Sequence, residues 1–462
     1  MRNGSGFWLR VFRLGMFALL ACGGLAARAS AFTHPGLLST AAELQFVKGR
    51  IQAGAQPWTR AFESMRSDPL VSLTRPPHPR ADIECGSYNN PDVGCDDATY
   101  DAKAAYGLAL IWYFTGDRRY AAKSIQYLDA WAGAYRSIGL SNAPLVSGWT
   151  LPAFANAAEI LRHTDAGWSP TQVAAFSEML MRWLPAVDDK EPRASNWIFS
   201  LMEAKMAIAI FTDNPVLFAE AVAMWRKRAP TFSYLASDGP LPAQTGATSQ
   251  VTLETQWHGQ KTFVDGIAQE TCRDIGHMLL GVGAMVYCAE MAWHQGVDLY
   301  GEQRKRITAM LEFHGRYFNG EPVPAWLCGG KLLLHPTTPF PATGIRSDNF
   351  EIAYNHYQRE GMKLPQSAMV VSKSRPAGAG GPVSKWETLT HALLPTDGTI
   401  GIAPPATPAA RPPSARPRVS LREGGARVEI QAADGAAAFA TDGKQSPISP
   451  GSSCGSSRNG PP

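Results

Sequence analysis

Cysteine pairs at metal-binding spacing are missing from this 462-residue chain: its seven cysteines include no paired CxxC, which excludes zinc-finger and zinc-ribbon sites. A basic surplus is missing too. The formal charge is +4, but the first 31 residues hold Arg2, Arg10, Arg13 and Arg28 and no acid, so the remainder carries 4 − 4 = 0. No global positive field argues for nucleic acid, and any attraction for an anion must be local. Strand-like alternation is nearly absent, which leaves a helical fold. A repeat of fixed length is also absent, which favours a closed toroid of helices over a solenoid. The apolar run Leu14–Ala27 is shorter than the roughly 20 residues a bilayer needs, and no other stretch is expected to reach that length.

That run follows Arg2, Arg10 and Arg13 and precedes Ala29, Ser30 and Ala31, the three-part form of a secretory signal. Cleavage after Ala31 would start the mature chain at Phe32, without a transmembrane span. Leu19, Leu20, Ala21 and Cys22 resemble a lipobox, so lipidation at Cys22 is the alternative. Either way the chain leaves the cytoplasm, for the periplasm or beyond. In such a compartment Cys85 and Cys95, in the polar loop ECGSYNNPDVGCDD, are candidates for a small disulfide loop. Cys272 and Cys288 lie in an apolar stretch and read as inert core residues.

From about Thr99 the pattern is helix after helix with short connections. YDAKAAYGLALIWYFTG stops at Gly116, and RRYAAKSIQYLDAWAGAYRS follows at once as an antiparallel neighbour. Ser169–Pro170 and Asn214–Pro215 are N-caps with proline at the first helical position. Further helices are expected from Ser195 to Thr212, Glu270 to Gln295 and Leu299 to Phe318. Successive helical hairpins imply an all-α fold, an incomplete α/α barrel or (α/α) toroid, whose ligand would lie in a central cleft walled partly by the loop 232–269. After Leu394 the composition turns to Pro, Ala, Gly, Ser and Arg through Pro462; such a tail cannot bury a core and is expected to be disordered. The expected domains are therefore a signal at 1–31, the toroid at 32–394 and the tail at 395–462.

Glu270, Arg273, Asp274 and His277 fall at i, i+3, i+4 and i+7, so on a helix they share one face. Beyond them the stretch Met278–Trp293 is apolar but for Glu290, the pattern of a buried helix. The charged turn should then open into a cleft; the alternative is a buried ion network tying helices together. Asn196, beside Trp197 at the start of a helix, is either a cap or an amide that donates to a carboxylate in the cleft. NFEIAYNHYQREG clusters Tyr354, Asn355, His356 and Tyr357 downstream of Arg346, and His258 in TQWHGQ is a weaker candidate. Amide, Arg, His and Tyr recurring at separated places suit β-elimination of a uronic acid polymer. That reaction removes the proton at C5, α to a carboxylate that must be neutralised, and one tyrosine can serve as base and acid.

On YDAKAAYGLALIWYFTGDRRYA, SNW, ETCRDIGH, AEMAWHQGVDLY and FEIAYNHY, the chain from about His34 to Leu394 resembles the alginate lyase family of helical-toroid polysaccharide lyases. The resemblance implies a monomeric toroid that cleaves an anionic polysaccharide by β-elimination without metal or other cofactor. It also implies residue roles: Asn196 and His277 neutralise the carboxylate, Tyr354 is base and acid, and Arg273 and Glu270 shape the site. Arg346 stands for the arginine the family places upstream of the tyrosine, although Asp348 and Asn349 occupy the nearest positions. Trp197, His258, His356 and Tyr357 complete the expected substrate contacts. Two rivals remain: a glycoside hydrolase on a similar toroid, which would recruit carboxylates such as Glu270, Asp274 and Glu351, and a non-catalytic polysaccharide-binding protein.

Overall fold

A computed structural model describes residues 32–188, 195–243, 250–335, 337–340, 348–376 and 385–394. The signal segment, Cys22, Arg346 and everything after Leu394 lie outside the described residues.

Local chemistry sets the helix boundaries. Helix α1 (Ala41–Gln52) opens with a capping box in which Thr40 and Glu43 satisfy each other's backbone N–H groups, and α2 (Trp58–Arg66) follows it. A hairpin of β1 (Asp82–Ser87) and β2 (Asn90–Val93) turns over Tyr88 and Asn89, both left-handed at φ 51° and 55°. Its base is tied by the Cys85–Cys95 disulfide, as expected. Then come α3 (Cys95–Thr115), ended by left-handed Gly116, and α4 (Arg118–Ala134), capped by Asp117. Strand β3 (Ser137–Gly139) pairs parallel to β1.

Next are α5 (Ala143–Arg162), α6 (Pro170–Trp183), α7 (Ser195–Phe211) and α8 (Pro215–Phe232). Ser169 and Asn214 are the caps the sequence indicates. The remaining helices are α9 (Gln250–Gln256), α10 (Ile275–His294), α11 (Leu299–Glu302), α12 (Arg304–Phe318), α13 (Glu351–Arg359), α14 (Pro365–Ser374) and α15 (Glu387–His391). A short ribbon of β4 (Leu333–His335) and β5 (Thr338–Pro339) precedes α13.

The helices form two layers. α3, α5, α7 and α10 are successive neighbours and are buried on nearly every side, while α4, α6 and α8 pack outside them and keep exposed faces. Because each outer helix returns the chain, the inner ones run the same way round an incomplete ring, the (α/α) toroid expected from the hairpins. α10 is long and apolar enough to cross a membrane by length and composition, contrary to the expectation that no such stretch exists, but 78% of its apolar window is buried inside the protein. Its midsection is core because Met278, Val282, Met285 and Met291 are all fully buried.

Two expectations need correction, and one helix was not among those expected. The helix expected from Glu270 starts at Ile275: the Asp274 side chain accepts from the His277 N–H, which makes Asp274 the N-cap and leaves Glu270–Arg273 in a preceding turn. Cys272 is bonded to Cys328 and is no inert core thiol, whereas Cys288 is free and buried as expected. Helix α5 escapes the sequence pattern because Pro152 stands in its interior.

Gly281 shows how tightly α10 meets α7. A Cβ there would sit 2.5 Å from Phe232 Cζ and 3.2 Å from the Asn196 Cα. Gly281→Val is expected to cost about 1–3 kcal/mol by overpacking and to displace Asn196. Thermal unfolding measured beside turnover checks this, with loss of both expected.

Candidate active site

The N-terminal end of α10 and the turn before it build a chain of contacts around two buried carboxylates. Glu270 is fully buried and accepts from the Asn196 backbone N–H (2.9 Å), from Asn196 Nδ2 at both carboxylate oxygens (2.9 and 2.8 Å) and from Arg273 Nη1 (2.7 Å). Arg273 continues to His277, its Nη2 standing 3.0 Å from Nε2. A guanidinium only donates, so Nε2 accepts and the ring proton sits on Nδ1, which points at Asp274 (2.9 and 2.7 Å). The imidazole is thereby held as the tautomer with a lone pair on Nε2. Side-chain exposure divides the roles: Glu270 and Asp274 are at 0%, whereas Arg273 is at 28% and His277 at 19%. The acids anchor, and the base and cation face the solvent.

They face a cavity of 370 Å³ lined by Ser87, Tyr88, Asn89, Asn142, Leu145, Trp149, Trp197, Arg273 and His277. Each wall comes from the start of an inner helix or from the hairpin above α3. Asn142, preceding α5, donates from Nδ2 to Asn89 Oδ1 (2.7 Å), which docks the hairpin tip on the ring. Tyr88 stands 80% exposed at the rim. Indoles beside amides and a guanidinium suit a polar, ring-shaped anionic ligand.

The structure brings together Arg273, His277 and Trp197 at the cavity, with Asn196 and Glu270 directly behind them. Asn196 is buried and its amide hydrogens go to Glu270, so it positions the turn. Glu270, expected to contact substrate, is sealed behind Arg273 for the same reason. His258 belongs to the neighbourhood: the charged groups that bear on it are Glu270, Arg273, Asp274 and His277.

The residues of α13 are not among those that line this cavity. Arg375, Glu351 and Glu312 are the charged groups that bear on Tyr354, and burial raises its hydroxyl above the ordinary range. Tyr357 is fully buried and donates to the Tyr300 carbonyl (3.0 Å), and His356, 2% exposed, stacks on the Tyr300 ring with centroids 3.8 Å apart. These two pack the core and contact no substrate. Tyr88, Asn89, Asn142 and Trp149 are the cavity residues that sequence reasoning missed. The available signal was the YNN turn inside the disulfide loop, a positive-φ hairpin tip rich in hydrogen-bonding groups.

Comparisons with known proteins agree with this architecture. The family model described as alginate lyase matches residues 52–324, more than half of the chain. Among solved structures the fold is similar to an alginate lyase from Bacteroides ovatus, with TM-score 0.51, 15% identity, and coverage of 78% of this chain and 100% of that one. It is also similar to alginate lyase A1-III from Sphingomonas species A1, with TM-score 0.55, 13% identity, and coverage of 78% and 97%. A substituted A1-III complexed with tetrasaccharide matches with TM-score 0.55 and 15% identity, covering 79% of this chain and 97% of that one. At such identities the likeness is one of fold alone. No curated protein sequence matches the chain.

Burial would raise the Asp274 carboxyl, but hydrogen bonds from the His277 ring and backbone and the charges of His277 and Arg273 outweigh it and hold it below the ordinary value. A lowered carboxyl contributes stability that is present above the unfolded aspartate value and is lost as pH falls through the folded one. Asp274→Asn keeps a good N-cap but removes the charge that fixes His277. Its melting temperature should fall below that of the wild type at neutral pH, the difference closing in strong acid, while turnover falls roughly a hundredfold. A pH series of melts beside kinetics separates the two effects.

Proposed function

The chain belongs to the alginate lyase family, and on that premise we propose that it cleaves alginate or a related polyuronate by β-elimination, leaving a 4,5-unsaturated end. The observation that carries this reading is the pairing in one cavity of a cation with an imidazole whose Nε2 lone pair is held by that cation alone. Arg273 binds the uronate carboxylate and spreads the charge that develops as C5 loses its proton. That contact draws Arg273 from His277 and frees Nε2 to take the proton. The C4–O bond breaks, the C4–C5 double bond forms, and the leaving oxygen takes a proton from the Tyr88 hydroxyl at the rim. The cleft supplies its own positive charge, so the reaction is proposed to run without a metal. Trp149 and Trp197 hold the sugar rings.

This reading moves the base from Tyr354 to His277, because Tyr354 keeps company with Arg375, Glu351 and Glu312. We also propose that the chain acts outside the cytoplasm. The N-terminal signal pattern and the disulfides Cys85–Cys95 and Cys272–Cys328 support this.

The test is near-ultraviolet absorbance of the unsaturated product on alginate blocks, glucuronan and hyaluronan. A rise on any of them is expected; new reducing ends without absorbance would point to hydrolysis, and neither signal to a binding protein. His277→Ala and Arg273→Ala should each lower turnover by about 10² to 10³. Tyr88→Phe should lose turnover with substrate binding nearly intact, and Tyr354→Phe should turn over near the wild-type rate. The reverse order for the two tyrosines would restore the base role to Tyr354.

A further inference from the structure

The far end of α10 holds a second constellation that the elimination does not use. Glu290 follows His277 by 13 residues (290 − 277), about 20 Å along a helix. There Glu43 of α1, Glu290 and His294 of α10 and His391 of α15 are all buried. Each has one polar atom fixed by a neighbour. Glu43 Oε2 accepts from the Thr40 N–H (2.9 Å), and Glu290 Oε2 accepts from the Tyr300 hydroxyl (2.8 Å). His294 Nδ1 donates to the Leu37 carbonyl (2.6 Å), and His391 Nδ1 pairs with Thr390 Oγ1 (2.7 Å).

The other polar atom of each, namely Glu43 Oε1, Glu290 Oε1, His294 Nε2 and His391 Nε2, is buried without a hydrogen-bond partner among the described residues. These groups are nonetheless crowded. His294 Nε2 lies 3.1 Å from the Glu43 carboxylate and 3.5 Å from Glu290 Oε1, and His391 Nε2 lies 3.8 Å from Glu290 Oε1. The 3.1 Å contact runs to Glu43 Oε2, the oxygen that Thr40 already holds, and is the charge-assisted pair that raises His294, whereas the 3.5 and 3.8 Å approaches to Glu290 Oε1 make no hydrogen bond. Ligands that share an ion behave so: at about 2.1 Å from a tetrahedral centre they stand roughly 3.4 Å apart. A histidine whose Nδ1–H is committed to a backbone carbonyl also presents a fixed Nε2 lone pair, the usual support of a ligating imidazole.

We propose that Glu43, Glu290 and His294, with His391 beside Glu290 (3.8 Å) as an outer partner, bind one divalent transition-metal ion of the zinc or manganese class. Two carboxylates neutralise the ion, and imidazole with carboxylate suits these metals. The site is a clasp. It joins α1, α10 and α15, and through Leu37 the segment before α1, at the end of the ring away from the cleft. The other groups facing it are Arg359, whose nitrogens lie 3.9 and 4.0 Å from Glu43 Oε1 and Glu290 Oε1, together with His356 and Tyr300.

The rival occupant is a proton on His294. Burial would lower that imidazole, but Glu43 and Glu290 outweigh it and raise it to about 9. The two occupants have opposite pH signatures. A raised histidine contributes stability that is complete below its unfolded value and lost as pH rises through about 9. A bound ion needs deprotonated ligands, so its stability is lost as pH falls through the ordinary histidine range.

The experiment uses the full mature chain without a histidine tag, purified without chelator, with metal content measured by plasma mass spectrometry. About one ion per chain is expected. Stripped protein should gain melting temperature on addition of Zn²⁺ or Mn²⁺, and that gain should shrink toward acid. Glu290→Gln should lose the ion, and His391→Ala should bind it more weakly. His163→Ala, in the separate surface group of His34, Glu159 and His163, should keep it. Absence of stoichiometric metal and of any response to either ion, with stability falling as pH rises through about 9, would assign the place to the proton and overturn the proposal. Loss of metal in His163→Ala and not in Glu290→Gln would also overturn it. Should Glu290→Gln fail to fold, wild-type stoichiometry and the sign of the pH dependence decide.

Discussion

Glu270 is the group on which the cleft depends. A carboxylate with no solvent exposure is tolerable only when its lone pairs are filled, and here the Asn196 backbone, the Asn196 amide and Arg273 fill them. The same bonds fix the start of α7 against the turn that enters α10. Removing one partner of a buried pair typically costs about 3–5 kcal/mol, because the other is left uncompensated. Arg273 is therefore held in place before any substrate arrives, and its second nitrogen sets the tautomer of His277. Scaffold and chemistry share one set of hydrogen bonds.

Asp274 does a related job four residues after Glu270. It ends the turn and caps α10 through the His277 N–H, and its carboxylate also accepts from the His277 ring N–H at Nδ1. A helix N-terminus leaves backbone donors unpaired, so a cap is needed there for any sequence. Making the cap an aspartate beside a histidine turns a folding requirement into an acid-base arrangement. The 56-residue span closed by Cys272–Cys328 holds the same turn from the other side. A loop that would otherwise move is tied by a cap, a buried carboxylate and a covalent bond.

The helical hairpins were legible because their signals are local: Ser169–Pro170, Asn214–Pro215 and Gly116 mark ends that depend only on nearby backbone. The union of Glu270, Arg273, Asp274 and His277 was legible too, though for a reason the pattern misstates, since a turn and a cap join them where one helical face was expected. Tyr88, Asn89 and Asn142 were not, because their value depends on a hairpin folding over a distant helix start, and no spacing encodes that meeting. The tyrosines of α13 misled for the opposite reason. A dense polar-aromatic run looks like a site, but the Tyr357 hydroxyl and the His356 ring face are both taken up by Tyr300 in the core. The Cys272–Cys328 bond hid likewise, 56 residues apart in an apolar context.

The parallel course of the inner helices gives the cleft its sign. Asn142 and Trp149 come from the start of α5, Asn196 and Trp197 from the start of α7, His277 from the start of α10, and the hairpin carrying Tyr88 leads directly into α3. Midway along, these helices are buried and packed mainly by apolar side chains. All four therefore present their N-termini, the positive ends of their dipoles, at one rim. Each end favours an anion by roughly 0.3–1 kcal/mol and the effect fades within a turn, so the set alone cannot hold a polymer. Four such ends around Arg273 nonetheless bias one mouth of a ring in a chain whose residues after 31 carry no formal net charge. The local attraction that the composition demanded is thus built from backbone as well as from one guanidinium, and it follows from the toroid's winding before any side chain is chosen.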